Sequence, residues 1–303
     1  MIDFQPFIPE KKAEYDAFLM HSGERGCEYS FTNLYLWGRQ MVSVYADHLV
    51  FFSQFNRKSV YLYPVGTGDR KAVLDAIIAD AKARGIPCRL TGLLHDDCAE
   101  LERLYPGKFR YHFDRDSFDY VYAIDDLADL AGRKFQRKRN HLNRFRTEHP
   151  EHKLVPITEA NRGDVEEMVK AWYAMRCEAN PHADYHMEQA AIRKALGQQE
   201  ALGMEGLVLT DGDKVLAMTM GSRLSEDSFD IHFEKALDIA DGAYAAINQG
   251  FARYLREKYP ELKWLNREDD MGLEGLRKAK MSYCPDHMIE KNWACLLEDG
   301  YDY

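Results

Sequence analysis

The sequence lacks the signatures of several large enzyme classes. It has no Gly-x-Ser-x-Gly elbow, no P-loop and no Gly-x-Gly-x-x-Gly turn, which argues against a serine hydrolase, a P-loop nucleotidase and a Rossmann dehydrogenase. Six cysteines (Cys27, Cys88, Cys98, Cys177, Cys284, Cys295) are scattered with no Cys-x-x-Cys pair and no zinc spacing. They read as small buried hydrophobes or idle thiols. His182 and His186 form a His-x-x-x-His pair on an expected helix, but a metal site needs a third ligand and an ordered surround, so no metal is expected. No apolar run approaches the ~18 residues of a membrane-spanning helix. The start, MIDFQPFIPEKK, lacks the basic-then-apolar layout of a signal peptide. The expected location is cytoplasmic.

What the chain does have is enough length, 303 residues, for one large domain or two ordinary ones, with the 46% hydrophobic and 30% charged composition of a globular protein. A formal net charge of -10 opposes bulk adsorption to nucleic acid or anionic membrane. One segment runs against that average. GRKFQRKRNHLNRFR carries Arg133, Lys134, Arg137, Lys138, Arg139, Arg144 and Arg146, with Phe135, Leu142 and Phe145 as an apolar stripe. The stripe predicts packing on the body. The charged face is either a solvated surface or a phosphate site, since arginine forks and lysine point charges suit phosphate oxygens. Asn140, His141 and Asn143 add hydrogen-bonding groups.

Periodicity and turn residues predict a helix from Pro9, a three-stranded meander over Met41 to Tyr63, and a helix Arg70 to Arg84 between an Asp69 cap and Gly85. Strands and a helix follow as far as Ile124. The second half repeats that order: a strand at Leu154 to Ile157, a helix to about Cys177, another from Asn180-Pro181, and a meander ending in Ser228 to Glu234. Then come a helix from Ala243 to Lys258, a strand at Lys263 to Leu265, a helix from Gly272 to Met281 and a last strand from His287 to Leu296. The repeated order predicts an α+β fold of two tandem GNAT-like (acyl-CoA N-acyltransferase-like) domains. Each is a mixed, mainly antiparallel sheet flanked by helices. The expected domains are 1–130 and 131–303, the second opening with a basic helix at 132–147.

Two stretches concentrate chemistry. SFDIHFEK alternates, with Phe229, Ile231 and Phe233 on one side and Asp230, His232 and Glu234 on the other. On an edge strand the polar side faces water; in a cleft His232 and Glu234 are general-base candidates. WLNREDDMGLEGLRKAKMSYCP, from Trp264 to Pro285, packs Asn266, Arg267, Glu268, Asp269 and Asp270 before a short helix bearing Arg277, Lys278 and Lys280. It is either a site holding a polar substrate at a helix N-terminus or a surface helix with Glu274 and Lys278 paired at i,i+4.

Those stretches, with RKFQRKRNHLNRF and HFEKALDIADGAYAAINQGFARYL, together resemble a bacterial family related to the C-terminal domain of phosphatidylglycerol lysyltransferases. The resemblance is strongest from about Arg133 to Lys291. That family belongs with the Fem-type peptidyltransferases, which have two GNAT-like domains and move an aminoacyl group from aminoacyl-tRNA to an amine or hydroxyl acceptor. The resemblance implies an acyltransferase without a metal, aminoacyl-tRNA as donor, tRNA as partner, and a small molecule, peptide or lipid headgroup as acceptor. The relatives' pattern Leu-Arg/Tyr-x-x-Lys-x-x-Phe/Tyr-x-Pro falls on Leu276, Arg277, Lys280, Tyr283 and Pro285. On that basis Lys280 and Arg277 meet phosphate or oxyanion charge, Tyr283 donates a proton, and His232 or Glu234 is the base. Asn266, Arg267 and Glu268 orient the acceptor, Tyr244 and Asn248 line the same cleft, and Arg137, Lys138, Arg139, Asn140 and Lys278 hold the donor.

Two departures from relatives bear on substrate. Lysyltransferases that act on lipid carry a large membrane-embedded portion, which this sequence does not show. GNAT acetyltransferases hold pyrophosphate on an Arg/Gln-x-x-Gly-x-Gly/Ala loop, whereas Asp238 to Ala243 has only Gly242 and places Asp238 and Asp241 there. Acids repel phosphate. An acyl-CoA-dependent N-acyltransferase is therefore the alternative reading, and a non-catalytic binding or regulatory protein on the same fold is a third.

Overall fold

A computed structural model describes residues 1–37, 40–55, 58–180 and 184–297. His182 of the His-x-x-x-His pair lies outside these residues, as does Pro181, where a helix start was expected. The chain forms two compact units. The first comprises Met1–Asp119, Asp269–Glu274 and the chain from Met288; the second comprises Tyr120–Glu268 and Gly275–His287.

The first unit's sheet runs in the order Gln5–Pro6, Gln40–Tyr45, His48–Phe55, Lys58–Leu62, Arg89–Leu93, Asn292–Leu296, Phe109–Phe113. Its pairs are antiparallel except Lys58–Leu62 with Arg89–Leu93, which are joined through the helix Arg70–Arg84. That helix starts where Asp69 accepts the N–H groups of Lys71 (2.9 Å) and Ala72 (3.3 Å), and stops at Gly85, whose φ of 66° suits glycine. Its face of Val73, Leu74, Ile77 and Ala81 packs on Val50, Phe52, Tyr61 and Leu90. Burying each large side chain contributes roughly 1.5–3 kcal/mol.

The second sheet runs His287–Ile289, Asp119–Ala123, Trp264–Asn266, Ser228–Ala236, Lys214–Arg223, Met204–Asp211, Lys153–Pro156. Here too one pair is parallel, Ser228–Ala236 with Trp264–Asn266, and the helix Ala243–Lys258 joins it. Meander, helix and parallel strand thus recur in each unit, as the element order predicted. No described helix is long and apolar enough to cross a membrane.

A single cut at 130 does not reproduce the units. The helix Ile124–Asp129 goes with the second, because Arg253 donates to Ala128 O (2.8 Å) and Arg256 pairs with Asp125 (2.8 Å) and Asp129 (2.9 Å). The expected last strand divides into His287–Ile289 and Asn292–Leu296. The latter is antiparallel to both Arg89–Leu93 and Phe109–Phe113, and buries Ala294 and Leu296 in the first unit's core.

The alternation expected across Ser228 to Lys235 is also broken. The register shifts between Met220 and Gly221, opposite Phe233 and Ile231, which leaves His232 as the extra residue of a β-bulge. Side chains beyond it change face. Phe229 and Glu234 therefore both meet the helix Ala243–Lys258, through Phe251 (centroids 6.1 Å apart) and Asn248 (3.2 Å). Lys235 instead lies 4.2 Å from the Trp172 ring and pairs with Glu188 at 2.7 Å.

Candidate active site

In the second unit, parallel pairing of Ser228–Ala236 with Trp264–Asn266 brings Glu234 beside Arg267. Arg267 Nη2 donates to Glu234 Oε1 at 2.7 Å, with the side chains only 13% and 8% exposed. Asn248 Nδ2 donates to the other carboxylate oxygen at 3.2 Å. The guanidinium lies 4.9 Å from the Tyr283 ring centre and 5.6 Å from that of Tyr122. Burial disfavours the charged guanidinium, yet Glu234 and the tyrosines hold Arg267 above its ordinary value.

The basic helix, Gln136–Glu148, packs through buried Leu142 and Phe145, and its start brings Lys138 to the same place. Lys138 Nζ sits 3.6 Å from the Tyr283 ring centre. Burial, aided by the positive charge of Arg267, lowers its pKa to about 8. Tyr283 is buried and its phenol is pushed up, so it stays protonated at neutral pH. Lys138, Tyr283, Tyr244, His141, Asp238 and Asp241 line a cleft of about 360 Å³. A lysine that is partly neutral near pH 8 beside a protonated phenol can take one proton and donate a hydrogen bond to a developing oxyanion.

The remaining basic residues of that segment are largely used by the protein itself. Arg139 donates to the carbonyls of Leu130 and Gly132, orphan acceptors beyond the end of the helix Ile124–Asp129. Lys134 pairs with Asp126 (2.7 Å), Arg144 with Asp241, and Arg146 donates to Gln249 (3.0 Å). Arg137 is exposed, and Asn140 accepts from Gln136 at 2.9 Å. Of the segment expected to hold phosphates, Lys138 and His141 line the cleft.

His232 falls in a separate cluster. Its Nε2 lies 2.8 Å from Ser222 Oγ, and its Nδ1 lies 3.3 Å from Glu268 Oε1 and 3.4 Å from Asp230 Oδ2. It does not line the cleft. Glu268 has φ 57°, a strained value for a residue with a side chain. Asn266 Oδ1 steadies it by accepting the Glu268 N–H at 2.7 Å. Lys280, expected to meet substrate charge, donates to the carbonyls of Arg267 (2.5 Å) and Glu268 (3.1 Å). Its work is to hold this loop. Arg277 is half-buried and Lys278 exposed, and neither lines the cleft. Lys280→Ala should lower stability by about 2–3 kcal/mol, measured by urea unfolding. A loss under ~0.5 kcal/mol would contradict that role.

Among the described residues two clusters carry metal-ligating types: Asp230, His232 and Glu268, and, in the first unit, Cys27, Glu28 and Asp119. In the second of these an ammonium already supplies the cation. Lys291 Nζ lies 2.7 Å from Asp119, 3.1 Å from Glu28 and 3.6 Å from Cys27 Sγ. Burial opposes its charge, but Asp119 leads the groups that hold it charged. A lone lysine preceding an apolar strand gave no hint of this.

Residues 20–295 match the family described as phosphatidylglycerol lysyltransferase, C-terminal. A conserved protein of unknown function from Bacteroides thetaiotaomicron is 38% identical, the match covering 98% of this chain and 100% of that one with a TM-score of 0.93. L-PGS from Bacillus licheniformis superposes with a TM-score of 0.67 at 15% identity, over 97% of this chain and 93% of that one. A tandem GNAT protein from the clavulanic acid biosynthesis pathway does so at 0.54 and 8% identity, over 100% of both. At those identities the likeness is one of fold, and the fold is a tandem GNAT arrangement. An uncharacterized protein of Mycoplasmoides gallisepticum is 26% identical over 178 residues, 58% of this chain. That match spans 55%, about half, of the relative's own length.

Proposed function

This chain belongs to the phosphatidylglycerol lysyltransferase C-terminal family, and we propose from that premise that it moves an aminoacyl group from aminoacyl-tRNA to an amine or hydroxyl acceptor. The observation that carries the reading is the pairing of Lys138 with Tyr283 at the cleft: an amine whose pKa is lowered to about 8 against a phenol that keeps its proton. The amine of Lys138 takes the proton of the acceptor's ammonium or hydroxyl. The freed lone pair attacks the ester carbonyl, and the oxyanion accepts a hydrogen bond from the Tyr283 hydroxyl. Collapse breaks the bond to the ribose oxygen, which takes the proton back from Lys138; an amine acceptor also gives up a second proton from its nitrogen to solvent as the amide forms. The products are the acylated acceptor and tRNA with its free hydroxyl. Burial, joined by the charge of Arg267 and partly offset by Glu234, lowers the proton affinity of Lys138 so that a share of the amine is free near pH 8.

Release of labelled amino acids from a mixed aminoacyl-tRNA pool, with a panel of amine and hydroxyl acceptors, tests the reading. Acceptor-dependent release is expected, and Tyr283→Phe should slow it by ~10²-fold. Release no faster than spontaneous hydrolysis with every acceptor would sink it.

Acyl-CoA compounds form the alternative donor class. Asp241 is paired with Arg144 and with His141 (3.2 Å), and Asp238 with Arg176 (3.3 Å). The cations that a pyrophosphate needs at this loop are thus already neutralised. Acyl-CoA is expected to leave the melting temperature unchanged, and a concentration-dependent rise would favour the alternative.

A further inference from the structure

One face of the first unit's sheet is committed to its core: Leu90, Phe109, Ala294 and Leu296 all point inward. Alternation then sends Arg89, Arg110, His112, Trp293 and Cys295 to the opposite face. The register places Cys295 opposite both Arg89 and Arg110, and Trp293 opposite His112. Two guanidinium-bearing strands thus flank a central strand, about 10 Å apart, with an indole one step along. Lys58, Arg89, Arg110, His112 and Trp293 line a groove of about 470 Å³. Asp114 is the acid of this lining, and its Oδ1 is held by the Asp116 N–H at 3.0 Å. In a chain of net charge -10, this grouping of cations around a half-buried aromatic runs against the bulk composition.

We propose that this groove binds single-stranded RNA, with one base resting on Trp293 and the adjoining phosphates on Arg89 and Arg110. Aromatic faces accept any unpaired base, and arginines on either side track a backbone. A duplex hides its base faces and cannot use the indole. The inference stands apart from the transfer reading, because it needs no aminoacyl group.

The test uses the full chain and a short unacylated single-stranded RNA, followed by fluorescence anisotropy across a salt series. Affinity should fall steeply with salt. The double variant Arg89→Gln, Arg110→Gln should weaken binding ~10-fold or more and flatten the salt slope by about two charges. Trp293→Phe keeps an aromatic in the strand, and should remove the quenching of tryptophan emission that RNA causes in the parent. Arg110 is exposed, so Arg110→Gln alone reports on binding even if the double variant misfolds. Unchanged affinity in the folded variants would overturn the proposal, as would equal affinity for duplex RNA or for a nucleoside monophosphate.

Discussion

Lys138→Met is expected to lower the rate of aminoacyl transfer by ~10²–10⁴-fold while leaving the protein folded. Methionine keeps most of the apolar stem against the Tyr283 ring and removes only the titrating amine. In the parent the rate should rise with pH through about 8, where the buried amine loses its proton, and level off above. In the variant that limb should vanish. The same shift predicts a stability effect of definite sign. The folded value lies below the ordinary lysine value of 10.5, so the unfolded chain binds more protons between the two. The cost of burying the ammonium is present in full below about pH 8 and is relieved as pH rises toward 10.5. Lys138→Met escapes that cost, so it should melt higher than the parent at neutral pH and lose the advantage in alkali. A variant that keeps the parent's pH limb would show that another group is the base.

The second large effect is on the pair beneath it. Glu234→Ala leaves the Arg267 guanidinium buried without its carboxylate, and breaking one side of such a pair costs about 3–5 kcal/mol. For a protein of this size that is roughly a 10 °C fall in melting temperature. Glu234→Leu with Arg267→Met replaces both charges by apolar groups, and should recover most of the loss without restoring transfer. Glu234→Gln separates charge from shape. Glu234 raises the Lys138 value while Arg267 lowers it, so removing the carboxylate charge should move the pH–rate limb to lower pH. A limb that moves upward, or Glu234→Ala within ~0.5 kcal/mol of the parent, would refute the assigned coupling.

Several residues that the sequence singles out come together in the candidate site. Glu234, Arg267, Tyr283, Asn248 and Tyr244 lie together around the cleft or its supporting pair. Lys138 was marked too, for phosphate rather than for the proton chemistry its burial favours. His232 was grouped with Glu234 by strict alternation, and the bulge at Met220 and Gly221 separates them. Lys280 and Arg139 are expected from sequence to meet substrate charge, whereas each donates to backbone carbonyls.

The sequence by itself determined the local elements and their repeated order. A cap such as Asp69, a stop such as Gly85 and a meander's alternation depend on residues a few positions apart, so they can be read in one dimension. Tertiary structure alone decided the partner of each buried charge, the bulge that turned His232 from Glu234, and the strand Asn292–Leu296 that returned to the first unit's sheet. Each of these depends on which strand or side chain arrives alongside from far along the chain. Burial then shifts the chemistry: desolvation and Arg267 both oppose the charge of the Lys138 amine and lower its pKa to about 8.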